Sequence, residues 1–331
     1  MADTTPFVML PADADAGIVP SRPAPMTIGG RSFTWGARTY LMGIINVTPD
    51  SFSGDGLLAD AAEDRAAASA GGAARSEGGA DATAAALALG GRMADEGADL
   101  LDVGGESTRP GHTVVDEAEE LRRVMPAIRA LHAAFPEVPL SIDSRKPGVV
   151  AAALEAGAAM VNDVAAVSDP SDAVFRIAAE HGVPLVLMHH RHEARYGNVV
   201  AEVLADLQRA IERAVAAGVA WERLIVDPGM GFGKTAEQNL VLLHDLAALR
   251  VLGRPMMLGM SRKSTIGRVL DLPAPERLEG TLATTALGIA AGVDIVRVHD
   301  VEANRRTAAV SDAIVRRGPA MVDRGWARIV P

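Results

Sequence analysis

Short apolar runs alternate along the chain with segments whose apolar residues recur at the spacing of one helix face. The runs are bounded by Gly, Pro, Asn and Asp, which is typical of buried strands. They are Tyr40–Asn46, Leu100–Gly104, Pro139–Asp143, Met160–Asp163, Pro184–Met188, Leu224–Asp227, Pro255–Gly259 and Ile295–His299. The helical segments include Asp116–Ala134, Val200–Ala217, Asn239–Leu249, Arg277–Ala291 and Glu302–Arg317. Eight such strands between helices favour a parallel (β/α)₈ TIM barrel. A doubly wound sheet is the alternative.

Three regions in the first part of the chain depart from this alternation. Residues 26–39 place β-forming side chains around Gly29-Gly30, which predicts a β-hairpin that plugs the amino-terminal end of the barrel. Residues 59–91 are dominated by Ala, Gly, Asp and Ser, and their Gly pairs predict a mobile insertion between the first strand and its helix. Residues 1–25 are expected to be a flexible tail, which leaves residues 26–331 as a single barrel domain.

Composition excludes several classes of protein. The chain has 331 residues, a net charge of −10 and a pI of about 5.3, whereas a general nucleic-acid binder needs a positive surface. The absence of cysteine excludes disulfides, thiol nucleophiles and cysteine-ligated metals. No apolar run reaches the roughly 18 residues that a membrane span needs, and we expect no signal peptide. A cytoplasmic protein is therefore the expectation.

Acidic and amide side chains follow several of the predicted strands. One Asp after a strand is usually a helix cap, but the strand ends of a barrel converge on the rim where its catalytic groups lie. Asp143 and Asp227 would offer paired acceptors, and Asn162 would add an amide donor and acceptor. These groups suit the edge of a flat guanine- or pterin-like ring.

Cationic side chains lie on or after the last two predicted strands. Lys263, Arg297 and His299 occupy the usual position of a barrel phosphate site. Asn46 would be an oxygen ligand beside them, able to hold Mg²⁺ shared with a diphosphate. The residues therefore indicate a ligand in which a flat nitrogen heterocycle is joined to a diphosphate.

Lysine is scarce in this chain. Only Lys146, Lys234 and Lys263 are lysine, against 29 arginines, and each follows an apolar strand. Because the planar fork of Arg cannot always replace the compact ammonium of Lys, these three positions call for an explanation. Gly229–Thr235 also resembles a phosphate-binding P-loop, but Pro228 stands where that pattern requires Gly.

Seven segments, in family order, closely resemble dihydropteroate synthase. They are Ile44–Ser53, Gly97–Gly111, Leu140–Pro147, Val161–Val164, Val226–Lys234, Gly259–Ser264 and Val296–Val301. The first two are the most specific. The resemblance implies a (β/α)₈ barrel that is usually a homodimer. The implied reaction joins 7,8-dihydropterin-6-ylmethyl diphosphate to 4-aminobenzoate and yields 7,8-dihydropteroate and diphosphate.

The resemblance also implies roles for single residues. Asn46 would be the Mg²⁺ ligand and would hold the diphosphate together with Arg297 and His299. The implied pterin contacts are Asp143, Asn162, Asp227 and Lys263. The implied lining of the aminobenzoate pocket is Thr108, Arg109, Pro110, Phe232, Ser261 and Lys263. The catalytic set would be Asp143, Lys263, Arg297 and His299.

Two alternative functions share part of this site. A pterin-dependent methyltransferase would use the same contacts to the pterin edge, but its reaction does not need a diphosphate clamp. A pterin-binding relative that has lost catalysis would lack Lys263, Arg297 or Asp143, and all three are present. The resemblance at the aminobenzoate pocket predicts competition by sulfonamides.

Overall fold

Eight parallel strands form a closed ring in the computed structural model, which describes residues 22–48, 77–106 and 115–316. The strands of the described residues, in chain order, are β1 Met26–Ile28, β2 Arg31–Phe33, β3 Tyr40–Asn46, β4 Leu100–Gly104, β5 Leu140–Asp143, β6 Met160–Asp163, β7 Leu185–Met188, β8 Leu224–Asp227, β9 Met257–Leu258 and β10 Ile295–Val298. Their hydrogen-bonded order is β8-β7-β6-β5-β4-β3-β10-β9. A parallel bridge between Val226 and Met256 joins the two ends. The predicted barrel is therefore confirmed, and the doubly wound sheet is excluded.

Helices cover the outside of the ring. Those of the described residues are α1 Glu77–Asp95, α2 Glu117–Ala134, α3 Pro147–Glu155, α4 Ala173–His181, α5 Val199–Ala216, α6 Ala236–His244, α7 Ser264–Leu270, α8 Leu278–Ala290 and α9 Val301–Val315. Short 3₁₀ segments lie at Trp221–Arg223, Leu246–Leu252 and Ala274–Glu276. In the part of the chain that the structure describes, none of these helices is both long and apolar enough to cross a membrane.

The predicted hairpin closes the amino-terminal end of the barrel. β1 pairs with β2 in antiparallel register, and Gly29 and Gly30 both have positive φ, as a tight two-residue turn requires. The hairpin buries its apolar side chains against the inward-facing residues at the starts of the barrel strands. That cluster contains Met26, Ile28, Phe33, Trp35, Tyr40, Met42, Leu100, Met160, Val186, Ile225, Met257 and Ile295.

The alternation of side chains along each strand carries polar residues to the opposite end of the barrel. Because successive residues of a strand face opposite sides, the residue two positions after an inward apolar one also faces inward. These second positions include Asp102 after Leu100, Asn162 after Met160, Asp227 after Ile225 and Arg297 after Ile295. The carboxyl end of the barrel is therefore lined by charged and amide groups above an apolar floor.

Helix α1 corrects the predicted insertion. Residues 77–91 were expected to belong to a mobile segment, but they are part of an ordered helix that packs on α2 and β3. Gly90 and Gly91 of this helix allow close packing instead of interrupting it. A Cβ on Gly90 would lie 2.4 Å from Leu131, and one on Gly91 would lie 3.1 Å from Phe135. The rest of the predicted insertion and most of the predicted tail lie outside the described residues.

Candidate functional site

Two carboxylates hold one arginine at the carboxyl end of the barrel. Arg297 on β10 donates through Nε to Oδ2 of Asp102 on β4, at 2.6 Å. It also donates through Nη2 to Oδ2 of Asp143 at the end of β5, at 2.7 Å. A guanidinium that bridges two carboxylates in this way has both its position and its plane fixed. Asp102 was not among the predicted site residues. The signal for it was an acid in the middle of an otherwise apolar strand, a position where charged side chains are normally paired.

Asn162 on β6 belongs to the same cluster. Its Nδ2 donates to Asp102 Oδ2 at 3.0 Å. Asn162 also lies directly opposite Asp143 in the parallel register of β5 and β6. Asp102 Oδ1 and Asn162 Oδ1 are both buried, and neither has a hydrogen-bond partner within the described ranges. Because buried polar atoms are almost always satisfied, two such acceptors side by side indicate that a donor group of a ligand completes the site.

Burial and neighbouring charges set the protonation of this cluster. Burial raises the pKa of Asp143 to about 7, while Arg297 opposes that shift and Asp102 adds to it. For Arg297, burial alone would lower the pKa, but the carboxylates of Asp102 and Asp143 raise it above its ordinary value. Arg297 is therefore a permanent cation, whereas Asp143 titrates near neutrality.

Asp227 and Lys263 form the other wall of the same end. Asp227 closes β8, is buried, and accepts from the backbone N–H of Gly229 at 2.7 Å. Burial raises its pKa, and Lys263 opposes that shift. Burial lowers the pKa of Lys263 to about 8, although the carboxylates of Asp227 and Asp143 favour the charged form. The site therefore holds one carboxyl group, Asp143, and one amine, Lys263, whose pKa values both lie near neutrality.

The loop that carries Lys263 is anchored by the preceding residue. Arg262 has a positive φ of 56°, which is strained for a residue with a side chain. Two hydrogen bonds to Asp300, at 3.1 and 2.6 Å, and one from the Arg262 N–H to Thr281, at 3.0 Å, hold it there. The Lys263 ammonium donates to the carbonyl of Met230 in the loop after β8. Lys263 is thus positioned by contacts on both sides.

Ser261 and His299 face each other across the ends of the last two strands. Ser261 Oγ lies 2.9 Å from His299 Nδ1 and accepts from the backbone N–H of His299 at 3.2 Å. The hydroxyl therefore orients the imidazole. His299 directly follows β10, while its predicted diphosphate contact and the predicted aminobenzoate contact of Ser261 stay predictions.

Phe232 lies on the loop after β8, within reach of the Lys263 side chain. Its ring centre is 4.6 Å from Lys263 Nζ and 5.7 Å from the ring of His190. The other predicted residues of the aminobenzoate pocket, Thr108, Arg109 and Pro110, lie outside the described residues. The chain just before them is held by Lys146, which forms ion pairs with Glu106 and with the buried Glu120.

Asn46 ends β3 at the level of Gly104 and Asp143 in neighbouring strands. Within the described residues, no group of three or more His, Asp or Glu side chains could hold a metal ion. A single amide oxygen does not make a closed protein site, but it fits Mg²⁺ that keeps its waters and shares a substrate diphosphate. Asn46 therefore fits the predicted magnesium role.

The structure thus brings Asn46, Asp143, Asn162, Asp227, Lys263, Arg297 and His299 to one end of the barrel, and it adds Asp102.

Comparison with known proteins identifies the family to which the chain is similar. The family model described as "Pterin binding enzyme" matches residues 70–299. A dihydropteroate synthase from Clostridium beijerinckii is 45% identical over 293 residues, which are 88% of this chain and 100% of the relative.

Solved structures from Xanthomonas albilineans are also similar to the chain. Dihydropteroate synthase with 4-aminobenzoic acid superimposes with a TM-score of 0.76 at 41% identity, covering 88% of this chain and 98% of that one. The complex with 7,8-dihydropteroate gives a TM-score of 0.74 at 39% identity, with the same coverage of 88% and 98%.

Proposed function

The chain belongs to the dihydropteroate synthase family of pterin-binding enzymes. We propose a role in that family's reaction for each residue at the carboxyl end of the barrel. The protein is a transferase of folate biosynthesis. It condenses 7,8-dihydropterin-6-ylmethyl diphosphate with 4-aminobenzoate to give 7,8-dihydropteroate and diphosphate. The assignments that follow concern single residues, the metal, the oligomeric state and the compartment.

The pterin ring binds among the acceptors around β4, β6 and β8. The two buried, unpartnered oxygens of Asp102 and Asn162 would accept from the N–H groups along one edge of the ring. Asp227 would accept a further pair, and Lys263 would donate to a ring acceptor while its stem packs on the ring. The proposal rests mainly on these two buried oxygens, which have no hydrogen-bond partner among the described residues.

The diphosphate binds at the adjoining cationic side of the rim. Arg297 and His299 would donate to its oxygens, and Asn46 would supply one ligand to Mg²⁺. When bound, Mg²⁺ neutralises charge on the leaving diphosphate. Arg297 stays cationic in this environment because Asp102 and Asp143 raise its pKa. The residues therefore stabilise the charge that develops on the leaving group.

The chemical step exchanges one bond for another at the pterin methylene. The C–O bond to diphosphate breaks with its electron pair on oxygen, and the aniline nitrogen of 4-aminobenzoate forms the new C–N bond. Asp143, in its ionised form, would stabilise positive charge on the pterin as that C–O bond breaks. The amine loses its proton afterwards, so the reaction does not need a base before attack. Phe232 and Lys263, with Thr108, Arg109, Pro110 and Ser261, would line the aminobenzoate pocket, where excluding water protects the reacting carbon.

Diphosphate release by the purified protein tests these assignments. Release with Mg²⁺ is measured with each substrate alone and then with both, in wild type and in Lys263→Ala. Release that requires both substrates and falls about 100-fold or more in the variant supports the proposal. Arg38→Ala, which breaks an ion pair with Asp99 at the other end of the barrel, is the matched control and should keep the wild-type rate. Pterin binding without release would indicate a non-catalytic relative instead.

We also propose that the protein acts as a homodimer in the cytoplasm. Helices α8 and α9 pack together and leave Leu287 (61% exposed), Val310 (64%) and Ile314 (62%) on the surface. Apolar side chains clustered on two adjacent helices are typical of an interface between subunits. Light scattering of wild type and of Val310→Asp tests the dimer, and a monomeric wild type would contradict it. Cell fractionation tests the compartment.

A further inference from the structure

Lys234 is a half-buried cation whose hydrogen bonds are all made within the protein. Its Nζ donates to three close acceptors, His189 Nδ1 at 2.9 Å, the Gly229 carbonyl at 2.9 Å and the Phe232 carbonyl at 3.1 Å, and makes a longer contact of 3.5 Å to the His189 carbonyl. No carboxylate in the described part of the chain forms an ion pair with it. Burial lowers the pKa of Lys234 to about 7, and Asp227 opposes that shift. Because each of the three acceptors needs a proton, the bonded form is the ammonium.

His189 is held in the form that this bond requires. It is fully buried at the end of β7, and its Nε2 lies 3.0 Å from Asp206 Oδ2 on α5. Burial and the Lys234 charge lower the pKa of His189 to about 3, so the ring is neutral. Nε2 therefore carries the proton and donates to Asp206, which leaves Nδ1 as the acceptor for Lys234. Arg191 donates to the same carboxylate at 2.7 Å and fixes it in turn.

The loop that Lys234 holds is pressed directly against the chain after β7. Gly229 and Gly233 both have positive φ. A Cβ at Gly229 would lie 1.7 Å from the His189 carbonyl oxygen, and one at Gly233 would lie 1.8 Å from that of Arg191. Only glycine permits this close approach of the two backbones. Backbone contact therefore sets the position of the loop, and the hydrogen bonds of Lys234 to the Gly229 and Phe232 carbonyls hold it there.

The loop contacts Lys263 of the site through Met230 and Phe232, and both residues lie in the segment from Gly229 to Lys234 that the Lys234 hydrogen bonds hold. The carbonyl of Met230 accepts from Lys263, and the ring of Phe232 lies 4.6 Å from Lys263 Nζ. We propose that Lys234 is a positioning residue for the second substrate, which sets the place of the Phe232 ring and hence the affinity for 4-aminobenzoate. The inference rests on the proposed function, because it assumes that Phe232 lines the aminobenzoate pocket.

This role accounts for lysine at position 234 in a chain that has only three lysines against 29 arginines. Three acceptors converge on one atom, which a tetrahedral ammonium satisfies and a planar guanidinium does not. The Lys234→Arg variant is therefore expected to behave like a loss of function rather than a conservative change. The P-loop likeness of the same segment has a different origin, since its lysine binds protein acceptors and not a phosphate.

Steady-state kinetics of Lys234→Met tests the proposal. The KM for 4-aminobenzoate is expected to rise about tenfold or more, the effect of losing hydrogen bonds to a charged group, while the Kd for the pterin diphosphate changes less than about threefold. Arg213→Met is the matched control, because Arg213 also donates to loop carbonyls, at Ala166 and Asp169, but away from Phe232. It should lower the melting temperature without raising the KM for 4-aminobenzoate.

Chemical rescue separates positioning from simple structural damage. Because the chain has no cysteine, Lys234→Cys carries the only thiol, and alkylation with 2-bromoethylamine restores an ammonium at that place. Alkylation is done in denaturant, followed by refolding, with wild type treated in parallel. Recovery of the KM to within about threefold of wild type supports the proposal. A variant that melts like wild type and keeps its KM for 4-aminobenzoate would overturn it, as would equal losses in Arg213→Met.

If Lys234→Met does not fold, His189→Leu carries the same test, because it removes one of the three bonds and predicts a smaller rise in the same KM. Unchanged KM values in folded His189→Leu would count against the proposal. Failure of the wild type to release diphosphate would instead contradict the proposed function. The experiment therefore distinguishes a wrong role for Lys234 from a wrong function.

Discussion

Asp102→Asn tests whether a buried carboxylate aims Arg297 at the diphosphate. Asp102 is fully buried, and its Oδ2 accepts from Arg297 Nε at 2.6 Å and from Asn162 Nδ2 at 3.0 Å. The substitution keeps the side-chain volume but removes the negative charge. Arg297 then has Asp143 as its remaining carboxylate partner, and its guanidinium is free to rotate about that contact.

The size of the effect follows from the bond that is lost. A hydrogen bond to a charged group contributes about 1.5–3 kcal/mol, so kcat/KM for the pterin diphosphate should fall about 10- to 150-fold. Stopped or coupled assays of diphosphate release, with 4-aminobenzoate saturating, measure this ratio. Direct binding of the pterin substrate shows how much of the loss is in the ground state.

A second readout of the same variant is the pH dependence. Burial raises the pKa of Asp143 to about 7, and the Asp102 charge adds to that shift. Above this pKa Asp143 is the anion that the reaction requires, so kcat/KM of the free enzyme should decline as the pH falls through about 7. Removing the Asp102 charge lowers the pKa of Asp143, and the acidic limb of the profile should move to lower pH.

Asp99→Asn is the matched control. Asp99 is also buried, and its carboxylate accepts from Arg38 at 2.5 and 2.8 Å, but it lies at the start of β4, away from the site. Its loss should reduce stability without changing kcat/KM or the acidic limb. If Asp102→Asn keeps the wild-type kcat/KM and pH profile, or if Asp99→Asn loses as much activity, the role given to Asp102 is wrong.

Three further predictions concern the cation, a buried acid and the pocket. Arg297→Lys should lower kcat/KM by about tenfold or more, because one ammonium cannot donate to Asp102 and Asp143 in the geometry of the fork; an unchanged ratio in the release assay would contradict this. Burial raises the pKa of Asp163 to about 7, above its unfolded value near 3.9, so the wild type should lose stability as the pH rises from about 4 to 7. Asp163→Asn should remove the Asp163 share of that loss, on the order of 1–4 kcal/mol at pH 8 relative to pH 5 in urea unfolding, and parallel curves for the two proteins would refute the assignment. A sulfonamide should compete with 4-aminobenzoate in steady-state kinetics, and activity unchanged under a large excess would count against the aminobenzoate pocket.

Local patterning determined most of the fold. The predicted limits of Tyr40–Asn46, Leu100–Gly104, Met160–Asp163 and Leu224–Asp227 match the strands, because each is an apolar run ended by a polar or turn-forming residue. The hairpin was likewise predicted from the β-forming residues around Gly29-Gly30. The count of strands, with helices between them, was enough to favour a closed barrel, whose strand ends necessarily share one rim.

Composition alone gave the wrong structure for residues 77–91. Alanine and glycine there predicted a mobile insertion, yet α1 is a helix in which Gly90 and Gly91 lie against Leu131 and Phe135 of the neighbouring α2 region. Whether a glycine breaks a helix or lets it pack closely depends on a partner that is distant in sequence. That information is absent from the local composition.

Only the tertiary structure decided which polar groups act together. Asp102 and Arg297 are 195 residues apart, and Asp143 and Arg297 are 154 apart, so their contacts exist only because β10 pairs with β3, which in turn pairs with β4. Lys234, in the loop after β8, and His189, just after β7, are 45 residues apart and meet because those two strands pair side by side. The sequence by itself determined the strands and the polar residues at their ends. Closure of the barrel determined the pairs, because direction and distance between charges depend on the whole ring of strands.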